Sequence, residues 1–141
     1  MKLSARNQLA GTVVAVKEGA VNGVVTIKLG TDEVKANITN EAIKELGLEA
    51  GKAAVAIVKA TNVMFAAGTE KIAGISARNQ LAGTVVAVKE GAVNGHVTLE
   101  LADGSKVSGS VTNEAIEALG LVEGAKALAI VKSTDVIVGV E

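Results

Sequence analysis

"SARNQLAGTVVAVKEGAVNG" runs from Ser4 to Gly23 and recurs letter for letter from Ser76 to Gly95. A repeat at half the chain length marks two small modules rather than one domain of 141 residues. Inside the stretch, "LAGTVVAVKEG" is rich in β-branched residues and reads as a strand. It runs into "AVNG", where Asn22-Gly23 and Asn94-Gly95 signal a hairpin because both residue types tolerate positive φ. The likeness continues downstream with a one-residue insertion near "ADGSK". "ITNEAI" at Ile38 to Ile43 faces "VTNEAI" at Val111 to Ile116, and "AIVKAT" at Ala56 to Thr61 faces "AIVKST" at Ala129 to Thr134. Between these blocks, "KLGTDEVKAN" and "ELADGSKVSGS" have drifted in the polar manner of a loop and an exposed strand.

Each module therefore reads as strand, strand, strand, helix, strand, strand. "VVTIKL" and "HVTLEL" alternate like half-buried strands, and "EVKANIT" and "KVSGSVT" make the third. "TNEAIKELGL" and "TNEAIEALGL" predict a short helix: Thr or Asn caps the start, Glu41 and Glu114 sit in the first turn, and Gly47 and Gly120 stop it. The last stretch of each module holds two strands with a break at "KAT" or "KST". The fold class is all-β with one short helix per module, arranged as two tandem OB-like five-stranded barrels. The first spans residues 1–68 and the second 69–141, with a Gly-containing linker near Gly68 to Gly74.

Composition adds constraints. Apolar residues make up 49% of the chain, yet Phe65 is the sole aromatic, so the cores are thin and built from Ala, Val, Ile and Leu. Modules this small bury only about 60% of their unfolded surface, which predicts packing of the halves on each other or on other chains. A net charge of −1 gives no general pull toward nucleic acid or an anionic membrane. An OB barrel that binds oligonucleotides needs aromatic stacking platforms and a basic groove, and neither is present. No apolar run reaches the roughly 20 residues of a membrane span and no signal segment opens the chain, so the expectation is a cytoplasmic protein. With no cysteine, disulfides and thiolate chemistry are excluded.

The two arginines of the chain, Arg6 and Arg78, occupy the same place in the two copies, while lysines are scattered. Arginine offers a fixed fork of donors suited to oxyanions. Ser4 and Asn7, or Ser76 and Asn79, add a hydroxyl and an amide. Thr39 and Thr112 stand at the helix start, and Lys59 and Lys132 follow an apolar strand. The set is rich in donors and poor in acceptors. The plainer alternative makes Arg6 a partner of a surface Glu, Lys59 a strand end and Thr39 a helix cap. "GAVN" is a hairpin turn or, alternatively, a set of exposed N–H groups for a second anion. His96, which replaces Val24 in the second copy, reads as an exposed strand histidine. One histidine, no phosphate loop and no acidic or His cluster at metal-ligand spacing leave no catalytic or cation-binding constellation, so the chain is expected not to be an enzyme.

The block "SARN.LAGTV..V..GAVN", then "ITNEAI..LGL..G" and "AIVKAT.V", resembles the molybdate-binding Mop domain of the molbindin family, in tandem over Ser4 to about Phe65 and Ser76 to about Val138. The resemblance implies an OB-like barrel that binds molybdate, often tungstate as well, for storage or homeostasis, with no organic cofactor. It also implies a homo-oligomer, a trimer holding six modules, with no nucleic-acid or membrane partner. One class of family sites lies between modules. Carried over, it comprises Ser4, Arg6, Thr39, Lys59 and Ala60, with Ser76, Arg78, Thr112, Lys132 and Ser133. A second, weaker class near the threefold axis points to Ala20, Val21 and Asn22, with Ala92, Val93 and Asn94. Some relatives carry a serine where Ala42 and Ala115 stand here. The rival expectation is an anion-sensing regulatory module acting through a partner protein; a third is an inert structural oligomer.

Overall fold

The computed structural model describes residues 1–141. In chain order the elements are β1 (Asn7–Glu18), β2 (Asn22–Leu29), β3 (Asp32–Thr39), α1 (Asn40–Glu45), β4 (Ala53–Val58), a 3-10 turn (Ala60–Asn62) and β5 (Met64–Ala67). The second copy repeats them as β6 (Asn79–Glu90), β7 (Asn94–Leu101), β8 (Lys106–Thr112), α2 (Asn113–Leu119), β9 (Lys126–Val131), a 3-10 turn (Ser133–Asp135) and β10 (Ile137–Gly139). The expected all-β architecture with one short helix per module is present as two five-stranded curled sheets.

The fifth strands are exchanged. The first sheet has the order β10-β4-β1-β2-β3 and the second β5-β9-β6-β7-β8. Thus Met64 to Ala67 pair with Ile130 to Ala127, and Ile137 to Gly139 pair with Ile57 to Val55, each strand completing the sheet of the other copy. The sheets curl until their edge strands, β3 and β10 or β5 and β8, come into contact. At that seam the Phe65 ring lies over Gly109 of β8, filling the room that a Cβ there would occupy.

The repeated stretch makes the curl possible. The first half of β1 pairs with β4, Asn7 opposite Val58 through Thr12 opposite Ala53, and the second half pairs with β2. A bulge between Val13 and Ala15 separates the halves, and β6 carries the same bulge between Val85 and Ala87. A bulge adds twist and bends its strand, letting one strand serve two sides of a barrel. At Gly11 and Gly83 the strand passes so close to the Lys28 and Glu100 carbonyl oxygens that no Cβ fits.

The helices are capped as the sequence predicts. The Thr39 and Thr112 hydroxyls accept from the Ala42 and Ala115 N–H groups at 3.1 Å, and Gly47 and Gly120 take the left-handed conformation after the last turn. The hairpin reading needs correction. Asn22 and Asn94 are not at positive φ, nor are Gly23 and Gly95; all four already belong to strands. The reversal lies one step earlier, where the Gly19 N–H donates to the Asn22 carbonyl across Ala20-Val21. What Gly23 provides is space, for the Ile43 side chain and the Asn40 amide of α1.

One continuous apolar cluster joins both copies, from Leu9 and Val13 to Val136 and Val138. Two buried asparagines fasten the copies together. The Asn7 amide donates to the Ser108 carbonyl (2.8 Å) and accepts from the Ser108 N–H (2.7 Å). Asn79 does the same with Lys35. Each imitates a pair of ladder hydrogen bonds across the junction, so a buried polar side chain is fully satisfied there. That use corrects the expectation that Asn7 and Asn79 add an amide to an anion site.

Candidate functional site

Because Asn7 is opposite Val58 at the end of the β1–β4 ladder, the residues just outside it, Arg6 and Lys59, leave from neighbouring strand ends. At Lys59 the chain is still extended, and the 3-10 turn then carries it onto β8 of the second copy. There Ser110 is cross-strand partner to His96 of β7. The result is a cavity of about 370 Å³ at the junction, lined by Ser4, Ala5, Arg6, Lys59, Ala60, Thr61, His96 and Ser110.

The chemistry of this cavity is one-sided. No carboxylate lines it. The Arg6 and Lys59 side chains are exposed and unpaired, since the only ion pair of the chain joins the Met1 amino group to Glu141 at 3.2 Å. The alternative of an Arg6 pairing with a surface Glu is therefore not what the structure shows. The N–H groups of Ala60 and Thr61 make no hydrogen bond within the chain, and no side chain caps this turn. Two cationic groups, two backbone donors and the Ser4, Thr61 and Ser110 hydroxyls thus converge where nothing in the protein neutralises them.

Four of the sequence-predicted residues, Ser4, Arg6, Lys59 and Ala60, are brought together here. Thr39 and Thr112 are elsewhere, at the helix starts beside Asn22 and Asn94 in the β2–β3 and β7–β8 ladders. The turns at Ala20-Val21 and Ala92-Val93 lie at those same tips. Asn40 and Asn113 brace them through the Val21, Val93, Gly19 and Gly91 carbonyls, while the N–H groups of Ala20, Val21, Ala92 and Val93 stay without partners in the chain. Val21 and Val93 are each 71% exposed.

The second copy is arranged differently. Arg78 lines a cavity of about 220 Å³ with Lys35, Lys71, Thr31, Asp32, Glu33, Gln80 and Leu81, and Ser76, Lys132 and Ser133 are not part of it. Gln80 exchanges hydrogen bonds with the Ile72 backbone, which holds the connecting segment against β6. Burial, with the charge of Asp103, raises the Asp32 carboxyl above its ordinary 3.8, and Lys71 partly opposes this. The turn at Ser133 packs on β3, where Asn37 is opposite Val24. Those two residues hold the places that Ser110 and His96 hold in the other copy.

Sequence reasoning did not assign His96 or Ser110 to the site. The available signal was the difference between the copies: "VVTIKL" became "HVTLEL" beside an otherwise identical stretch.

The fold and the cavity define a class, a tandem pair of small β-barrel modules with an electropositive pocket at their junction. The chain belongs to the TOBE domain family, which it matches over residues 3–65 and 75–138. It is 43% identical over 141 residues to the molybdenum transport protein ModE of Azotobacter vinelandii, covering 99% of this chain and 52% of that protein. It is 40% identical over 139 residues to the molybdenum-pterin-binding protein MopA of Rhodobacter capsulatus, covering 97% and 52%. The chain thus spans about half the length of these two relatives. Molybdenum-pterin-binding protein 3 of Clostridium pasteurianum matches over 64 residues at 53% identity, 45% of this chain and 94% of that one. Among solved structures, the cytoplasmic molybdate-binding protein ModG with molybdate bound superposes with a TM-score of 0.94 at 48% identity, over the whole of both chains.

Proposed function

We propose that this chain is a non-enzymatic, cytoplasmic protein that binds molybdate, and tungstate with it, for storage or homeostasis. The observation that carries the reading is the junction cavity, where Arg6 and Lys59 converge without a carboxylate. Support comes from the likeness to molybdate-bound ModG along the full chain. Molybdate is a tetrahedral dianion with four acceptor oxygens. The guanidinium and ammonium groups and the N–H groups of Ala60 and Thr61 can only donate, so a fully deprotonated oxyanion satisfies them. Hydrogen phosphate brings a proton that those groups cannot accept, so it would have to turn that proton toward one of the few acceptors of the cavity, the hydroxyls or His96.

The predicted ligands that lie apart, Thr39, Thr112 and the Ala20–Asn22 and Ala92–Asn94 turns, belong in this reading to sites completed when chains associate, in a trimer. Ser76, Arg78, Lys132 and Ser133 are read as the second copy of the junction site. The free N–H groups at the exposed Val21 and Val93 tips support such contacts.

Titration calorimetry against molybdate, tungstate, sulfate and phosphate tests the proposal; absence of molybdate binding at micromolar concentrations would sink it. The second reading, an anion-sensing module acting through a partner, draws on the match to about half of ModE. Native mass spectrometry separates the two: a self-contained oligomer carrying oxyanion mass supports storage, whereas a molybdate-dependent complex with a separate protein supports sensing.

A further inference from the structure

We propose that the junction site containing His96 takes up a proton together with its oxyanion, a coupling that the other copy, with Val24 at the same place, lacks. This rests on the oxyanion-binding reading above and assigns a role to a residue that one copy has and the other does not.

His96 is the only histidine of the chain. It lies on the exposed face of β7 and lines the cavity with Arg6 and Lys59. Lys89 of β6 is directly opposite it, and Ser110 of β8 flanks it on the other side. On β7 itself, Asn94 and Thr98 share its face by strand alternation. The helix α2, with Glu114 and Glu117, packs on the other face of β7, where Ile116 and Asn113 lie against Gly95. Glu100 also shares this face, four residues along the strand and opposite Lys106, so the charged groups nearest His96 are the cations Arg6, Lys59 and Lys89, and no acid lines the cavity itself.

A bound dianion places negative charge beside the ring and favours its charged form, because an opposite charge within a few ångströms stabilises it. Imidazole is the side chain whose protonation responds between about pH 5 and 8, so that preference is expressed as proton uptake at working pH. The proton comes from solvent and stays on the ring, adding a second N–H donor toward the anion. In the counterpart, Val24 cannot titrate, and its cross-strand neighbour Asn37 is neutral.

Calorimetric titration with sodium molybdate, in buffers of differing ionisation heat between about pH 6 and 8, reads the protons taken up. By linkage, a one-unit change in ring pKa on binding makes one class of site about tenfold tighter at the acid end while the other changes little. The ring resonance of the lone histidine in proton NMR should titrate at higher pH once molybdate is added. His96→Asn should weaken molybdate at the junction site, since the ring is one of its donors, and abolish the proton uptake that accompanies the binding that remains; Val24→His should add uptake. Uptake that is zero in the unaltered protein, or unchanged in His96→Asn, overturns the inference while leaving molybdate binding intact. No molybdate binding at all overturns the proposed function and this inference with it.

Discussion

Arg6 and Arg78 stand at the same place in two identical stretches, yet they meet different surroundings. Arg6 shares its cavity with Lys59, His96 and Ser110 and with no acid, while Arg78 shares its cavity with Asp32, Glu33, Lys35 and Lys71. The stretch that is identical supplies the donor; the strands that drifted, arriving from the other copy, supply what the donor faces. Exact repetition of a local sequence therefore does not duplicate a site that is assembled across a junction.

The comparison can be broken most severely by separating the copies. A fragment of residues 1–68 keeps β4 but loses β10, its outer neighbour, and leaves β5 with no ladder. It should lack a cooperative unfolding transition as a monomer by circular dichroism. Next in size is the seam. Phe65→Ala removes the ring that covers Gly109 and should destabilise the protein by about 3 kcal/mol, whereas Val138→Ala on the reciprocal strand should cost about 2 kcal/mol or less. Urea denaturation measures both.

Arg6→Ala and Arg78→Ala sharpen the contrast in binding. A charge-assisted hydrogen bond contributes about 1.5–3 kcal/mol, so losing Arg6 should weaken molybdate at its site by roughly tenfold or more. Arg78→Ala should do less, because Asp32 and Glu33 line the same cavity and repel an anion there; equal effects would show that these acids do not weaken the Arg78 site. Calorimetry of the two variants decides this. The smallest effect concerns Asp32, whose raised carboxyl makes its ionised form unfavourable in the folded state. Above the folded value the penalty is fully present, and it disappears as pH falls through that value toward the ordinary 3.8. Asp32→Asn should raise Tm slightly near neutral pH, with no gain left at about pH 3.

Much of this was legible in the sequence. Period-two alternation, the Thr caps and the glycine stops gave the order of strands and the place of each helix, because those signals are local. The exchange of β5 and β10 was not legible. "AVAIV" in β4 and "ALAIV" in β9 are nearly the same ladder, so propensity cannot choose which copy receives which strand; chain reach and the Phe65–Gly109 fit do. Ser4, Arg6, Lys59 and Ala60 were grouped through the family resemblance, and the structure brings them together because Asn7 and Val58 end one ladder. Thr39 lies apart from them within one chain, at the α1 start, where its hydroxyl accepts from the Ala42 N–H and keeps its own proton to donate. His96 and Ser110 escaped notice because their contribution depends on a turn from the other copy landing on β8.

The exchanged strands also bear on dilution. Two separate modules trading a strand would associate by a second-order reaction and come apart as the protein becomes scarce. Here the segment from Gly68 to Ala77 ties the donor to the acceptor, giving each strand an effective concentration on the order of millimolar. Reciprocal pairing within one chain thus becomes a property of every single molecule, and only the association of whole chains remains subject to how much protein is present.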